Sequence, residues 1–276
     1  MLFATLLALA SETLHAAWNL FVKTSDDREL AAWGQWIAGG LLFLPFLMFA
    51  GLPEADSWPF LLSSSLIHLA YIYALVSAYH HGDFSLAYPL ARGGGALVAA
   101  LLGAVFLSDA LPLGAWLALV VVAVGLASLV RPGAPAAEIG FALLTALMIG
   151  WYTVVDTAGS RHTDDGFAYA VVLVFVSAVA MSVVALARGR GGDLVASLPE
   201  QWWRYVLSGA CLTAAYGLVL IAVRHAPVGY VAALRESSVV IGALLGWLLL
   251  KEPLGRRRLR SSIVVAAGLV ALVIFR

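Results

Sequence analysis

The sequence predicts an all-α polytopic membrane protein with ten transmembrane helices, arranged as two inverted five-helix repeats. Three observations lead to this prediction: the composition, the length of the apolar segments, and a match of the chain to itself. Of the 276 residues, 62% are hydrophobic and only 12% are charged, whereas a soluble domain typically carries about 25% charged residues. The shortage of charge indicates a lipid environment.

Ten apolar segments are long enough to cross a bilayer, since a spanning helix needs about 20 mostly apolar residues. They lie at approximately 2–22, 29–50, 59–80, 84–107, 113–130, 138–159, 166–187, 202–223, 228–249 and 258–275. Charged and turn-forming residues separate them, as in KTSDDRE, HHGD and RHAPVG. The first segment contains a small-residue pattern like a signal cleavage site. No basic residue precedes it and the apolar run continues, so we expect a retained helix.

The chain matches itself at an offset of 143 residues. Residues 73–130 align without a gap to 216–273, and 17 of the 58 positions are identical. Each half of the chain, 1–137 and 138–276, contains five predicted spans. Because five is odd, two consecutive copies insert with opposite orientations. Proteins built in this way usually bind substrate near mid-membrane between the repeats.

Basic residues are distributed unequally between the two predicted sides. The loops after odd-numbered spans, with their flanks, hold eleven of the sixteen Lys and Arg residues, and the other side holds three. The remaining two, Arg92 and Arg235, fall inside spans. The positive-inside rule then predicts that both termini lie outside.

One face of the first span carries Glu12, His15 and Asn19 at helical spacing, with Trp18 beside them. Ionisable residues inside a membrane are functional candidates by default, so this face is expected to line a cavity. The carboxyl and the imidazole are groups that can also carry protons. The alternative is a polar contact that only locks two helices together.

Arg92 and Arg235 are partners in the self-match, each inside a predicted span. Facing each other, they would bind a carboxylate or phosphonate through bidentate hydrogen bonds. Pro89 before Arg92 and the three glycines after it predict a kink or break in that helix. The alternative for Arg235 is a structural ion pair with Glu12, Asp156 or Glu236.

Three further groups complete the candidate site. Glu236 follows Arg235 directly, so the two side chains point about 100° apart on a helix. Tyr73 and Tyr216 are partners in the self-match and offer hydroxyls to a ligand, with packing or a membrane-interface position as the alternative. Asp156 and His68 are expected to be interior polar groups of the helix interfaces.

Several kinds of chemistry receive no support from the sequence. The single cysteine, Cys211, excludes an internal disulfide, and no Walker-type phosphate loop is present. A formal net charge of zero does not suggest a nucleic-acid partner. We therefore expect no cofactor and no metal. The expected partners are a small-molecule substrate, with protons as a coupling ion, and membrane lipids around a monomer.

Four stretches resemble the EamA-like transporters of the drug/metabolite transporter (DMT) superfamily. They are LHAAWNLFVK in the first span, YPLARGGG and LLGAVFLSDALP in the fourth, and ALRESSVVIGALLGWLLLKEPLG in the ninth. The resemblance implies a ten-helix basket in the plasma (inner) membrane, with a central cavity lined mainly by spans 1, 3, 4, 6, 8 and 9. It also implies transport of small metabolites, often export, and termini in the cytoplasm. This last implication conflicts with the charge count, so the sidedness stays open.

We expect a secondary transporter, acting as an exporter of amino acids or other zwitterionic or anionic compounds by alternating access. The predicted substrate-binding residues are Arg92, Arg235, Glu12, His15, Asn19, Trp18, Tyr73, Tyr216 and Glu236. The alternative is an intramembrane enzyme acting on a lipid-linked phosphate, in which the same arginines would bind the phosphate. A structural membrane protein without transport would leave the internal charges unexplained.

Overall fold

The computed structural model describes residues 1–81, 84–128, 135–237 and 256–275. Within these ranges the chain forms helices and no strand. The long helices of the first half are α1 (Leu2–Lys23), α2 (Arg28–Phe43), α3 (Trp58–His81), α4 (Phe84–Phe106) and α5 (Leu113–Ala127). The second half contains the long helices α6 (Ala136–Arg161), α7 (Gly166–Ala187), α8 (Gly191–Ala222) and α10 (Arg256–Ile274), and the seven-residue helix α9 (Val228–Leu234) between α8 and α10. Short helical turns at Leu44–Phe46, Leu47–Ala50 and Ala55–Ser57 join α2 to α3.

The predicted all-α membrane class is confirmed. Five stretches within the described ranges are long and apolar enough to cross a membrane: Arg28–Ala50, Ala55–Leu75, Ala136–Arg161, Gly166–Ala187 and Gly191–Ala222. The count of ten spans and the inverted arrangement stay predictions. Of the predicted ninth span, residues 238–249 lie outside the described residues.

Helix α8 is longer than the sequence predicted. The expected span began at residue 202, and the preceding residues were expected to form a loop because they contain glycines and Pro199. Instead, the helix starts at Gly191 and continues through Pro199. An interior proline removes one backbone donor, and here that loss does not end the helix. Asp193 in the first turn favours this start, since an acid there complements the helix dipole.

The helices pack mainly between the two halves of the chain. Helix α1 packs along α8, α3 and α4 pack along α6, α2 packs along α7 and α8, and α5 packs along α10. Many of the buried positions are alanine, such as Ala4, Ala8, Ala99 and Ala142. Small side chains let helices approach closely in a membrane, where packing rather than water exclusion drives association.

The contact between α5 and α10 is reciprocal. A Cβ atom on Gly125 would lie 3.0 Å from Cγ2 of Val265, and one on Gly268 would lie 2.7 Å from Cγ2 of Val122. At the offset of 143 residues, Gly125 corresponds to Gly268 and Val122 to Val265. The same contact is thus made twice with the roles exchanged, as in an interface with a two-fold axis.

Helix α4 is not broken at Arg92, so of the predicted kink or break the break is wrong, and the kink stays a prediction. The helix runs through Pro89, Arg92 and the three glycines that follow. The glycines serve the contact with α6 instead: a Cβ atom on Gly95 would lie 2.5 Å from Cγ2 of Ile149. Close packing against α6 offsets the low helix propensity of glycine.

Asp109 and Arg161 connect three chain segments at one end of the bundle. Two nitrogens of Arg161 donate to the two carboxylate oxygens of Asp109, at 2.8 and 2.9 Å. The same guanidinium donates to the carbonyl oxygens of Val223 and Ala226. Asp109 also accepts a hydrogen bond of 2.7 Å from the backbone N–H of Val228, the first residue of α9. The contact ties the α4–α5 and α8–α9 connections to the end of α6.

A second group of charges lies at the opposite end of α8 from the Asp109–Arg161 contact. Asp27 caps α2 by accepting a hydrogen bond of 2.9 Å from the Leu30 N–H, and it pairs with Arg190 directly before α8. Burial alone would raise the pKa of Asp27. The Leu30 N–H and the Arg190 guanidinium outweigh this effect and hold that pKa below its ordinary value.

Candidate functional site

Four charged side chains meet where α1, α4 and α9 approach one another. Nε of Arg235 donates to Oε1 of Glu12 at 3.1 Å. Nη2 of Arg92 lies 3.5 Å from Oε2 of Glu12 and 3.2 Å from Oε1 of Glu236. We call these four residues the charge cluster. Its two positive and two negative groups balance in formal charge.

The charge cluster is almost completely buried. Glu12 is 0% exposed, Glu236 3%, Arg235 5% and Arg92 7%. Removing an ion from water costs several kcal/mol even after relaxation, and only good pairing offsets this cost. Among the described residues, Oε2 of Glu12 and Oε2 of Glu236 have no hydrogen-bond partner. The two acids therefore retain capacity to accept hydrogen bonds.

The backbone of α9 takes part in the same cluster. The helix ends at Leu234, and the chain turns through Arg235 and Glu236. The last carbonyl groups of a helix lack partners within the helix. One of them, the carbonyl oxygen of Arg235, accepts a hydrogen bond of 3.0 Å from Nη2 of Arg92. Arg92 thus contacts the main chain of its partner in the self-match.

Both arginines pair with acids, although only Arg235 has an acid next to it in the sequence. No acid is adjacent to Arg92 in the sequence, yet the fold brings it Glu12 from α1 and Glu236 from the end of α9. For Arg235, the pairing with Glu12 was one of the structural alternatives. Both arginines are therefore held by acids from other parts of the chain, which the sequence alone does not identify.

Aromatic residues border the charge cluster on the side of Arg235. The centre of its guanidinium lies 5.9 Å from the ring centroid of Tyr216, within the range of a cation–π contact. The Tyr216 hydroxyl donates to Asp156, which also accepts a hydrogen bond of 3.3 Å from Tyr169. Asp156 is 0% exposed, so these hydroxyls satisfy a carboxyl group at the interface of α6, α7 and α8.

His68 and Tyr152 extend the aromatic border. Their rings stack with centroids 4.3 Å apart, and the His68 ring lies 6.1 Å from that of Tyr216. Nδ1 of His68 lies 2.9 Å from the carbonyl oxygen of Ser64. A carbonyl oxygen only accepts, so Nδ1 carries the hydrogen of this bond. His68 is an interior histidine with a satisfied Nδ1, as the sequence predicted.

A small cavity adjoins the charge cluster. Its volume is about 10 Å³, roughly the space that one water molecule needs. Its lining residues are Arg92, Gly95, Ala96, Ile149, Thr153, Ala232, Arg235 and Glu236. In this conformation the cavity is too small for a solute larger than water.

The structure brings some predicted site residues together and separates others. His15 lies one turn from Glu12 on α1, and its ring packs edge-on against Trp18 with centroids 4.8 Å apart. Tyr73 is 61% exposed, so the fold does not bring it to the charge cluster beside its sequence partner Tyr216. Asn19 belongs to α1, but its side chain lies outside the described residues.

The resemblance implied that span 6 lines the cavity, but the sequence did not identify which residues of α6 do so. Ile149 and Thr153 line the cavity and lie four residues apart on α6. The signal that would have found them is their spacing relative to Tyr152 and Asp156, which mark the same interior side of that helix. Neither Ile149 nor Thr153 carries a charge, so neither is costly in lipid and neither was singled out.

Within the described ranges, no group of three His, Cys, Asp or Glu side chains is placed to hold a metal ion. The acids of the charge cluster contact guanidinium groups instead, and such contacts satisfy carboxylates without a metal. The arrangement is suited to binding ionic groups of a solute.

A search of curated proteins finds no match to this sequence. The fold is similar to that of a solved crystal structure, with a TM-score of 0.80, 14% sequence identity and coverage of 99% of both chains. At this identity the likeness shows the fold alone. The model of the EamA-like transporter family matches residues 136–274. Family membership points to membrane transport rather than to enzymatic activity. The chain belongs to the EamA-like transporter family and is an integral membrane transporter of the DMT superfamily.

Proposed function

We propose that this protein is a secondary transporter of small polar metabolites that carry an anionic group, such as amino acids, and that the charge cluster is the binding site. One observation carries the proposal. Two arginines and two glutamates from three helices of both halves meet, nearly fully buried, beside a cavity. An interior ion pair is weak evidence for stability, since apolar residues of similar volume often stabilise a protein as well or better. A role in binding a charged solute would explain why the protein retains buried charges despite the free-energy cost of removing them from water.

The guanidinium groups supply recognition of the anionic group. Each is held by acids in the closed cluster, and a substrate carboxylate would replace one of these acids as the hydrogen-bond acceptor. Arginine suits this exchange because its planar fork of donors matches a carboxylate. The tyrosine ring beside Arg235 limits the directions from which the anion approaches.

We further propose alternating access between two inverted halves. The reciprocal contact of Gly125 and Gly268 supports a two-fold relation, and the family match at 136–274 covers nearly all of the predicted second half. Rocking of one half against the other would open the small cavity to one side at a time. From the family resemblance, we propose export across the plasma (inner) membrane.

Counterflow in proteoliposomes tests this function. Vesicles loaded with a mixture of unlabelled amino acids are given trace labelled amino acids, and uptake is followed for the wild type, for Arg92→Ala and for Arg188→Ala. Truncating one partner of a buried charge pair costs about 2–5 kcal/mol, so Arg92→Ala is expected to lower counterflow by about 30-fold or more. Arg188 is a matched control, because its side chain is 58% exposed.

Three results would contradict the proposal. The first is wild-type counterflow in Arg92→Ala, which would remove the arginine from the site. The second is an equal loss in Arg188→Ala, which would show that the assay reports a general effect of lost charge. The third is an absence of counterflow for any amino acid in the wild type, which would reject the substrate class.

A further inference from the structure

The two acids of the charge cluster occupy different positions. Glu12 contacts both guanidinium groups, through Oε1 with Arg235 at 3.1 Å and through Oε2 with Arg92 at 3.5 Å. It is 0% exposed and does not belong to the cavity wall. Glu12 is therefore the counter-charge that both arginines share.

Glu236 belongs to the cavity wall. It contacts Arg92 through Oε1 at 3.2 Å, while its buried Oε2 has no hydrogen-bond partner among the described residues. The same holds for Oγ of the adjacent Ser237. An ionised carboxylate only accepts hydrogen bonds, and a buried acceptor without a partner is destabilising. A solute group that carries positive charge could donate hydrogen bonds to both of these oxygens, Oε2 of Glu236 and Oγ of Ser237.

We infer that the two acids have separate roles: Glu236 receives the ammonium group of the substrate, and Glu12 is a positioning residue that holds the two arginines for its carboxylate. This inference rests on the proposed function and narrows it to zwitterions. A substrate with an ammonium group and a carboxylate on one carbon would present its cation to Glu236 and its anion to the neighbouring Arg92. Purely anionic solutes would leave Oε2 of Glu236 without a donor.

A pairwise ligand panel tests the role of Glu236. Thermal shifts of the full chain in detergent are measured with α-amino acids and with the corresponding α-hydroxy acids, which replace only the ammonium group by a hydroxyl. For at least one pair, we expect the wild type to bind the amino acid about 30-fold more tightly or better. In Glu236→Gln this ratio is expected to fall towards one. Full retention of the ratio in Glu236→Gln would overturn the inference.

The positioning role of Glu12 has a different signature. Glu12→Asp keeps the charge but shortens the side chain, so both arginines lose their geometry. We expect weaker binding of the amino acid and of the hydroxy acid in equal proportion, with their ratio unchanged. A selective loss of amino-acid binding in Glu12→Asp would assign the ammonium site to Glu12 instead.

A third measurement does not depend on any substrate. A small apolar carbodiimide reacts with accessible carboxyl groups in the membrane interior, and mass spectrometry locates the adduct. We expect the adduct on Glu236 at least tenfold more often than on Glu12. Equal labelling, or labelling of Glu12 alone, would overturn the division of roles. If labelling is asymmetric but no amino acid binds the wild type, the division stands and the substrate class fails.

Discussion

The Asp109–Arg161 contact is expected to stabilise the fold, and the substitution Asp109→Asn tests how much. The substitution Asp109→Asn keeps the shape of the side chain and its acceptor for the Val228 N–H, but it removes the charge that Arg161 binds. The Asp109 side chain is 12% exposed and the Arg161 side chain 28%. The burial of this contact is therefore intermediate. A surface ion pair contributes about 0–1 kcal/mol, and disruption of a buried one costs about 3–5 kcal/mol. We expect a loss of about 2–3 kcal/mol.

Reversible unfolding in mixed micelles, followed by circular dichroism, measures this loss. A double-mutant cycle with Arg161→Gln is expected to give a coupling energy of about 1–2 kcal/mol, since neighbouring partners are not additive. Glu29→Gln is the matched control: Glu29 also pairs with arginines, but its side chain is 52% exposed. We expect less than about 0.5 kcal/mol there. Equal effects of Asp109→Asn and Glu29→Gln would refute the reasoning from burial and geometry.

Three further predictions use the same unfolding assay. Gly39→Ala is expected to cost about 1–3 kcal/mol of stability, because the new Cβ would lie 2.7 Å from a backbone oxygen of α8. Gly140→Ala is the control: its new Cβ would have no atom within 4 Å, so the change should be neutral or stabilising by up to about 1 kcal/mol. Tyr216→Phe removes a hydroxyl donor from the buried Asp156 and should cost about 1–3 kcal/mol. Asp27→Asn should lower stability at pH 7, and the difference from the wild type should vanish on acidification. The folded-state pKa of Asp27 is depressed, so its contribution is complete above the unfolded-state pKa of about 4 and is lost as the pH falls through the folded value.

Each of these predictions has a result that would contradict it. A neutral Gly39→Ala would mean that α2 and α8 are not in close contact. A neutral Tyr216→Phe would mean that the hydroxyl does not bind the carboxyl group. For Asp27, a gap in stability that stays constant from pH 7 to pH 3 would show that the effect does not come from the charge of the carboxylate.

The helices could be predicted well because each helix that crosses a membrane needs about 20 mostly apolar residues, and such segments are visible in the sequence. Nine of the ten predicted spans begin within two residues of the start of a described helix, for example 166–187 and Gly166–Ala187. The start of α8 could not be predicted in this way. Its first turns carry charge, glycine and a proline like a loop, and the favourable position of Asp193 in the first turn is a weaker signal than these.

The candidate site was predicted by residue but not by partner. The cost of a charge in lipid identifies Glu12, Arg92, Arg235 and Glu236 from the sequence alone. Which acid pairs with which arginine depends on the rotation of three helices about their axes, and the sequence does not contain it. The same limit explains Tyr73: the self-match relates it to Tyr216, but its exposed position depends on which helices cover each copy.

The hydrogen bond from Arg92 to the carbonyl oxygen of Arg235 has a mechanical consequence. A main-chain acceptor is present whatever residue occupies position 235. Substitutions at 235 therefore change the electrostatics of the region while Arg92 stays attached to the end of α9. Under the proposed alternating access, sliding of α9 relative to α4 would stretch this bond directly, and the main chain of one half would then displace the guanidinium in the other.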